Sequence, residues 1–508
     1  MLARKTVFVI LKEGIAGILG FITLFFVARF MGAEPLGSVG FALAFVNVFN
    51  IVADMGFNAA HVKRMSEGKT PENCIAVYIR FKTILTVAAL GILLLVLLAF
   101  ELLKIQFYDS TYPEVIYIML GYFLLTQILS IPKYTFDARL QIYRGQIAAL
   151  AGAIGKDLLV ISASVIMAVG TYTTFQRSIA LACGYVIEVL ITAIILYIFF
   201  IRNEKIGKFD KNVAKTYLKF ALPFFPIAIF TILSVSADRL TIGYFWDARE
   251  VGYYTAVQQI ANMLLVIQSA TTLVLFPAIS SAHAKGNREE IVRLSSEAIR
   301  YILIILIPVG AAITVFSAGI IHVILSDEFI VAEYCFIYLT WYFILVSLAS
   351  TAGTTIGGMD RPELGAKITF VSAISNIVLN FMFVPLWGAT GAAIATLISG
   401  VVYFTLVRYF SRKILGFNIF GFRNLKTVFA GILTILVFYG IKIMYFSKVD
   451  EFRWYSLILL LGGVVGLFVF ILWLIGEFGR KEFEFFVKSL HIGEMRKGIL
   501  EELRTKNN

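Results

Sequence analysis

The sequence predicts an all-α protein that crosses a membrane many times. Hydrophobic residues make up 59% of the 508 residues, charged residues make up 15%, and the mean hydropathy is +0.87. A soluble domain is nearer half apolar and a quarter charged. The apolar residues occur in blocks of about 20, the length that an α-helix needs to cross the hydrocarbon core of a bilayer. Lys and Arg are concentrated between alternate blocks, which is the second observation that indicates a polytopic membrane protein.

Apolar runs between charged breaks predict fourteen membrane-spanning helices. We number them as spans 1 to 14, with approximate limits 10–30, 37–58, 83–100, 115–131, 147–169, 179–201, 220–244, 252–279, 301–325, 334–357, 367–386, 389–407, 427–446 and 454–475. The basic, apolar N-terminus "MLARKTVFVILKEGIAGILGF" has no convincing small-residue cleavage site, and its apolar run continues to Phe30. We therefore expect span 1 to be retained rather than removed as a signal peptide.

The positive charges orient these spans. With the N-terminus in the cytoplasm, the six connections that face inward hold 24 of the 44 Lys and Arg residues, and the seven that face outward hold 5. Cytoplasmic loops of membrane proteins are enriched in Lys and Arg. We therefore expect a multi-pass protein of the cell membrane with both termini in the cytoplasm. The net charge of +12 is then explained by the inward-facing loops and requires no nucleic-acid partner.

The connections divide the chain into regions without indicating a separate soluble domain. Residues 1–201 are expected to form an N-terminal lobe of six helices, 202–219 a cytoplasmic linker, and 220–410 a C-terminal lobe of six helices. Residues 411–475 add two helices, and 476–508 form a cytoplasmic tail. Apolar residues at helical spacing in the tail suit a helix on the membrane surface, and an ordinary solvated tail is the alternative.

The sequence predicts neither a cofactor nor a metal site. Its three cysteines and four histidines are scattered, which argues against a disulfide framework and against a thiolate or histidine metal centre. No phosphate-binding loop of the P-loop type is present, so ATP would not power transport within this chain. No catalytic residue is predicted.

Several charged side chains lie inside the predicted spans, although each charge placed in hydrocarbon costs ~3 kcal/mol. Those that need an explanation are Arg29, Asp54, Lys156, Asp157, Glu188, Asp238, Arg239 and Lys442. Asp238 and Arg239 are neighbours in span 7, and consecutive helical residues point about 100° apart. Each of these two side chains therefore needs a partner on another helix, or a water-filled cavity.

The charges near the middle of the spans have two possible roles. Arg239 and Lys156 could hold a phosphate or an acidic sugar through charge-assisted hydrogen bonds. Asp157 and Glu188 could bind a coupling proton or Na⁺. The alternative for each is structural, such as a contact of Lys156 with Glu188 or Asp157, or an inter-helix pair at Asp238.

For the remaining polar residues and the prolines, we expect mainly structural roles. Asp54 is expected to cap a helix or to pair with the following loop, and Arg29 and Lys442 to reach the lipid headgroups. Asn376 and Asn380 share one face of span 11 and could bind sugar hydroxyls or join helices. Prolines within the spans are expected to break or kink them, namely Pro223, Pro226, Pro277 and Pro308.

A weak internal repeat relates the two lobes. Shifting the chain by 215 positions aligns "FMGAEPLGSVGFALAFVN" (30–47) with "FWDAREVGYYTAVQQIAN" (245–262), with four identities in eighteen positions. The aligned residues are Phe30/Phe245, Ala33/Ala248, Gly37/Gly252 and Asn47/Asn262. Six spans separate the two segments, so the halves point the same way through the membrane, as in transporters with parallel repeats.

These two segments, with "LPFFPIAIF" at span 7 and "GMDRP" after span 10, resemble the polysaccharide flippases of the multidrug/oligosaccharidyl-lipid/polysaccharide exporter superfamily. The resemblance implies two six-helix bundles in a V around a central cavity, and an isoprenoid-pyrophosphate-linked oligosaccharide as substrate. It also implies that spans 13 and 14 provide a groove for the lipid tail. Related lipid II flippases carry an arginine in span 1 shortly after a Gly-Phe pair, whereas this chain has Thr23 there. The difference favours a glycan other than the peptidoglycan precursor.

The expected function is therefore translocation of a polyprenyl-pyrophosphate-linked oligosaccharide from the cytoplasmic to the outer leaflet by alternating access. The expected partners are this lipid, the bilayer and either H⁺ or Na⁺ as coupling ion, and a monomer is plausible. One alternative is a cation-coupled multidrug antiporter of the same superfamily, although twelve spans and an acidic cavity are typical of that class. A second is an integral-membrane glycosyltransferase or polysaccharide polymerase, which usually presents a large outer loop.

Overall fold

The computed structural model describes residues 2–480 apart from 69, 105–106, 360–361, 417–419 and 446–452, together with residue 482. This part of the chain contains helices and no strand, which confirms the predicted all-α class. The helices are α1 (Leu2–Phe30), α2 (Ala33–Val48), α3 (Asn50–Asp54), α4 (Phe57–Ser66), α5 (Pro71–Leu102), α6 (Tyr112–Ala138), α7 (Ile142–Val169), α8 (Thr174–Asn203), α9 (Lys211–Phe245), α10 (Ala248–Asn262), α11 (Leu265–Ala284), α12 (Arg288–Ile324), α13 (Glu333–Gly358), α14 (Pro362–Leu415), α15 (Phe422–Tyr445) and α16 (Trp454–Leu474). A short 3₁₀ helix, Asp327–Ala332, joins α12 to α13.

Many of these helices can cross a membrane. Among the described residues, 10 are long and apolar enough, or up to 11 if the bent pair Ala33–Val48 and Asn50–Ser66 forms one span. Predicted spans 11 and 12 lie in one long helix, α14. This helix is interrupted at Trp387 and Gly388, where Gly388 adopts φ +52° and ψ −129°. The prediction separated the two spans at these same residues.

The prolines in the spans do not end their helices. α9 is assigned as one helix through positions 223 and 226, and α11 continues through Pro277. α12 contains Pro308 and has its non-helical residue at Phe316, eight positions later. Of the expected breaks or kinks, a complete break is absent at these positions, because a proline that loses one backbone hydrogen bond inside a long packed helix leaves most of the ladder intact. The segment "GMDRP" includes residues 360–361, which lie outside the described residues.

Span 2 bends by 40° between α2 and α3, at Phe49. Further along, Met55 and Gly56 both adopt left-handed backbone conformations where α3 meets α4. The Lys82 ammonium, which is buried, donates to the Ala53 carbonyl oxygen at 3.0 Å and so caps the end of α3. Asp54 accepts from the Asn58 N–H at 3.0 Å, which is the capping role expected of it. Lys82 was not singled out from the sequence because it lies just before the predicted limit of span 3.

We call α1–α8 the first lobe and α9–α14 the second lobe. α9 begins at Lys211, inside the predicted linker, and its first turns pack in the core of the first lobe. There the Tyr217 hydroxyl lies 2.9 Å from His61 Nδ1, and the His61 ring stacks on Tyr78. The later turns of α9 contact α14 in the second lobe. α9 is thus shared between the lobes.

α15 and α16 pack on α12. Glu477, just after α16, joins basic residues of α12 and α15. This buried carboxylate accepts from Arg423 Nε at 2.8 Å and from Lys426 Nζ at 3.2 Å. Arg300 at the start of the apolar part of α12 donates to the Glu477 carbonyl oxygen at 2.6 Å. Burial disfavours ionisation of Glu477, but the hydrogen bonds from Arg423 and Lys426 outweigh it and hold the pKa of the carboxyl below its ordinary value. Most of the predicted tail, residues 483–508, lies outside the described residues.

Glu477→Gln should therefore lower the stability of the purified protein by ~1–3 kcal/mol at neutral pH, because three cations lose a buried anion. The ionised carboxylate stabilises the fold above its unfolded pKa, and this contribution is lost as the pH falls through the lower folded pKa. Thermal unfolding in detergent should separate the variant from the wild type at pH 7 and bring them together in acid. Glu297→Gln removes an exposed carboxylate of α12 and is the control; equal melting temperatures at pH 7 would contradict the role of Glu477.

Candidate functional site

A cavity of about 400 Å³ lies between the two lobes. Its wall in the first lobe consists of α2 and Tyr185 of α8, and its wall in the second lobe consists of α9, α10 and α13 with Thr396. Polar groups line the second-lobe side: Ser234, Asp238, Arg239, Thr255, Gln258, Gln259, Asn262 and Thr396. The position between lobes and the polar wall make this cavity the candidate binding site.

Arg239 is the cation of the cavity wall. Its guanidinium donates to Gln258 Oε1 at 2.6 Å, and its buried Nε–H has no hydrogen-bond partner. Among the described residues it forms no ion pair with a carboxylate. A buried guanidinium with a free N–H, bordering a cavity, can bind an anionic ligand.

Lys156 is a second cation close to the cavity. Its ammonium lies 3.0 Å from Glu188 Oε2, 3.8 Å from Asp157 Oδ1 and 5.2 Å from the centre of the Tyr185 ring. Lys156, Asp157 and Tyr185 border a small pocket of about 30 Å³, and Tyr185 and Gln259 line both this pocket and the larger cavity. The structural contact weighed from the sequence is therefore present, and the same side chains lie next to the cavity.

Asp238 is buried and faces away from Arg239, as expected for consecutive residues of a helix. It accepts hydrogen bonds from the Tyr254 hydroxyl (2.5 Å), the Asn380 amide (2.7 Å), the Thr396 hydroxyl (3.1 Å) and the Asn376 amide (3.3 Å). The structure therefore turns Asn376 and Asn380 toward this carboxylate. The side-chain oxygens of both asparagines are buried and accept no hydrogen bond.

The charges around the cavity do not balance. Lys156 and Arg239 contribute two positive charges, whereas Asp157, Asp238 and Glu188, the partner of Lys156, contribute three negative charges when ionised. An anionic ligand would therefore bind more favourably with one of these carboxylates neutralised.

The cavity is closed at the end of the bundle that carries the connections 31–32, 103–111, 246–247 and 325–332. These connections contain few Lys and Arg residues, and we call this end the charge-poor end. α2 and α10 cross here in backbone contact. A β-carbon on Gly37 would lie 1.6 Å from the Ala248 carbonyl oxygen, and one on Gly252 would lie 2.0 Å from the Ala33 carbonyl oxygen. These are the residues that the 215-residue shift aligns. The two segments of the repeat thus pack on each other reciprocally.

Crossed polar contacts reinforce this closure. Glu328 of the second lobe accepts from the Ala33 N–H at 3.3 Å, and Asp109 of the first lobe accepts from the Ala248 N–H at 3.2 Å. Each lobe therefore caps the first turn of a helix in the other lobe. Glu34 and Arg249, also related by the 215-residue shift, form an ion pair at 3.3 Å.

Two cations near span ends have partners within the protein. The exposed Arg29 donates to the carbonyl oxygens of Val323 (2.6 Å) and His322 (3.3 Å) at the end of α12. Lys442 of α15 lies 3.8 Å from Glu333 of α13. Both contacts join segments that are distant in the sequence, which periodicity alone could not reveal.

The chain is similar to proteins of glycan export. The family model described as "Polysaccharide biosynthesis protein" matches residues 26–333, and the model described as "Lipid II flippase MurJ" matches residues 359–465. The probable low-salt glycan biosynthesis flippase Agl15 of Haloferax volcanii is 24% identical over 79% of this chain and 81% of its own length. The probable flippase AglR of the same organism is 24% identical over 32% of this chain and 34% of its own length.

Solved structures share the fold. The lipid II flippase MurJ in an inward closed conformation superposes with a TM-score of 0.69 at 16% identity, covering 91% of this chain and 98% of that one. An inward-facing multidrug resistance MATE transporter of the MOP superfamily superposes with a TM-score of 0.63 at 15% identity, covering 79% and 94%. With two lobes around a polar cavity, and with a family match over more than half of its length, this chain belongs to the polysaccharide biosynthesis protein family.

Proposed function

We propose that this protein is a flippase that moves a polyprenyl-pyrophosphate-linked oligosaccharide from the cytoplasmic to the outer leaflet by alternating access, for the synthesis of a cell-surface glycan. The observation that carries the proposal is the cavity between the lobes, which is lined by Arg239, adjoins the small pocket of Lys156 and is closed at the charge-poor end. The similarity to the probable glycan biosynthesis flippase Agl15 and the probable flippase AglR supports it.

The physical task is to carry a polar headgroup through hydrocarbon while the lipid chain remains in the bilayer. We assign the pyrophosphate to Arg239 and Lys156, and the sugars to the amide wall formed by Gln258, Gln259 and Asn262. The charge-rich connections and both termini face the cytoplasm in this proposal, so the cavity loads from the cytoplasmic side. Lys156 would exchange Glu188 for the phosphate when the headgroup binds.

The coupling cation belongs at Asp238 in this proposal, rather than at Asp157 or Glu188, which already have Lys156 as counter-ion. Rotating the Asn376 and Asn380 amides by 180° would present their unbonded oxygens to a Na⁺ ion beside the carboxylate. A proton on Asp238 would neutralise the same charge. Either cation offsets the negative balance of the cavity and so favours an anionic headgroup.

One observation favours a second candidate, a cation-coupled drug antiporter. The excess of carboxylates over cations near the cavity would suit a cationic substrate, and the fold is shared with MATE transporters. The two functions predict opposite ligand charge. Uptake of a fluorescent organic cation into the same proteoliposomes, driven by a Na⁺ or proton gradient, would support the antiporter and count against the flippase.

We expect Lys156→Ala and Arg239→Ala each to slow headgroup translocation at least tenfold, because each removes a cation that replaces the hydration of the pyrophosphate. The assay uses liposomes with the purified protein and candidate polyprenyl-pyrophosphate sugars, and follows the access of an added enzyme to the headgroup. Arg293→Ala removes an exposed cation of α12 and is the control.

Three outcomes would count against this function. Normal translocation by both variants would remove Lys156 and Arg239 from the site. Absence of translocation by the wild-type protein with every cargo would reject the flippase. Lengthening or joining of glycans by the purified protein would show an enzyme instead.

A further inference from the structure

A second large cavity lies on the other side of the helices that wall the central one. It measures about 710 Å³, and its lining contains no charged side chain. The first lobe contributes α2 and the region at the end of α5, and the second lobe contributes the end of α9. Aromatic rings form most of the lining: Phe41, Phe45, Phe49, Phe100, Phe107, Tyr108, Tyr244 and Phe245. We call it the aromatic pocket.

The aromatic pocket and the central cavity are back to back. On α2, Leu36, Val39 and Leu43 line the central cavity, whereas Phe41, Phe45 and Phe49, spaced four residues apart, line the aromatic pocket. On α9, Asp238 and Arg239 line the central cavity, whereas Leu240, Gly243 and Tyr244 line the aromatic pocket. The seam between α2 and α9 is therefore a partition with a polar chamber on one side and an apolar chamber on the other.

This seam joins the two lobes through few specific contacts. Asn47 donates to the Ser236 hydroxyl across it at 3.2 Å. Nearer the charge-poor end, Phe41 lies flat against Gly243, where a β-carbon would come within 2.3 Å of the Phe41 ring. Because its two sides belong to different lobes, movement of the lobes changes the width of the seam.

We propose that the aromatic pocket binds the isoprenoid chain of the cargo while the headgroup occupies the central cavity, with the lipid passing between α2 and α9. This inference rests on the proposed flippase function. An amphiphile needs a polar and an apolar chamber within one molecular length, and a single helix-helix seam separates the two here. Tyr108 and Tyr244, which are 62% and 69% exposed, lie at the rim of the pocket and leave a path to the surrounding bilayer.

The position of the aromatic pocket indicates that it binds the lipid chain late in the transport cycle. Its walls include the connection 103–111 and the last turn of α9, both at the charge-poor end, which faces the outer leaflet in the proposed orientation. A chain bound there has already reached the outer half of the bilayer. The pocket would thus hold the lipid chain late in the cycle, while the headgroup is still in the central cavity and before the cargo is released.

The test fills the pocket and varies the length of the lipid chain. Val48→Trp places an indole in the pocket, and Leu95→Trp, at a lipid-facing position of α5 that is 65% exposed, is the control. The cargoes are the same pyrophosphate-linked sugar on a long polyprenyl chain and on a chain of two isoprene units. We expect Val48→Trp to slow the long-chain cargo at least tenfold and the short-chain cargo less than twofold. Normal transport of the short chain also shows that the variant is folded.

A photoreactive group on the isoprenoid units nearest the pyrophosphate provides the second measurement. We expect it to label α2 and α9 peptides that line the pocket, and an equal amount of acyl-diazirine phosphatidylcholine to label them less. Equal labelling by the phospholipid would show an ordinary lipid site and overturn the inference. Equal slowing of both cargoes, or slowing of neither, by Val48→Trp would also overturn it. Failure of the wild-type protein to transport would instead reject the flippase function.

Discussion

Leucine in place of Gly37 or Gly252 is expected to reduce transport at least tenfold. Each glycine lies where α2 and α10 cross, and a β-carbon at either position would overlap a backbone carbonyl of the opposite helix. Backbone atoms cannot move aside as a flexible side chain can, so overpacking here separates the helices. Small residues permit such close approach between membrane helices, and no larger residue can replace them without a shift. The charge-poor end would then stay open, and the cavity could not load from the cytoplasmic side.

Accessibility of a cysteine in the cavity measures this effect. Val39→Cys places a thiol on the cavity wall. A membrane-impermeant maleimide added to the outside of cells should label it strongly in the Gly37→Leu and Gly252→Leu backgrounds and weakly in the wild-type background. Gly91→Leu is the control, because nothing lies within 4 Å of a β-carbon at Gly91 in α5. Wild-type labelling together with wild-type transport in both glycine variants would show that the crossing does not close the cavity.

The effects of the Gly37 and Gly252 substitutions, alone and combined, can also be compared with each other. Because Gly37 contacts Ala248 and Gly252 contacts Ala33, the two substitutions act on one interface related by the internal repeat. Their effects on labelling should be alike in direction and less than additive when combined, since residues in contact couple. Additive effects would indicate two independent contacts.

Asp238→Asn is the second substitution with a large expected effect, at least a tenfold loss of cation-dependent transport. The change removes the charge of a buried carboxylate and preserves its shape, and the neighbouring asparagine amides can rotate to satisfy an amide at this position. The fold should therefore hold while the affinity for Na⁺ or a proton is lost. The cavity loses one negative charge permanently, so an anionic headgroup should still bind.

Transport in proteoliposomes with separately imposed Na⁺ and proton gradients distinguishes loss of cation binding from loss of headgroup binding. The wild-type protein should respond to one of the two gradients, and Asp238→Asn should respond to neither while retaining headgroup binding. Glu297→Gln, an exposed carboxylate variant of α12, should behave as the wild type. A gradient response that survives in Asp238→Asn would assign the coupling cation elsewhere, and Glu188→Gln would then be the next variant to measure.

The sequence alone could predict the fold class and the identity of the polar residues around the cavity. Apolar block lengths placed the breaks between helices, including the interruption of α14 at Trp387 and Gly388. The free energy of placing charge in hydrocarbon singled out Lys156, Asp157, Glu188, Asp238 and Arg239 as residues that require partners. The 215-residue shift aligned the glycines that meet where α2 and α10 cross.

Several features could not be predicted because they depend on contacts between distant segments. Asn376 and Asn380 appeared as possible sugar ligands, but helix packing turns both toward Asp238. Arg29 appeared as a headgroup anchor, but the end of α12 provides carbonyl oxygens for it. Lys82 was overlooked because it lies just before the predicted limit of span 3, and its partner, the Ala53 carbonyl oxygen at the end of α3, leaves no periodic signal in the sequence.

The sequence by itself therefore determined that this protein spans a membrane, where its apolar segments lie, and which side chains cannot face lipid. These properties follow from hydrophobicity and helix periodicity, which act locally along the chain. The tertiary structure alone decided which cation meets which carboxylate, which end of the cavity is closed, and that an apolar pocket lies behind the polar one. These properties follow from the packing of one lobe on the other, where residues more than 200 positions apart come within a few ångströms.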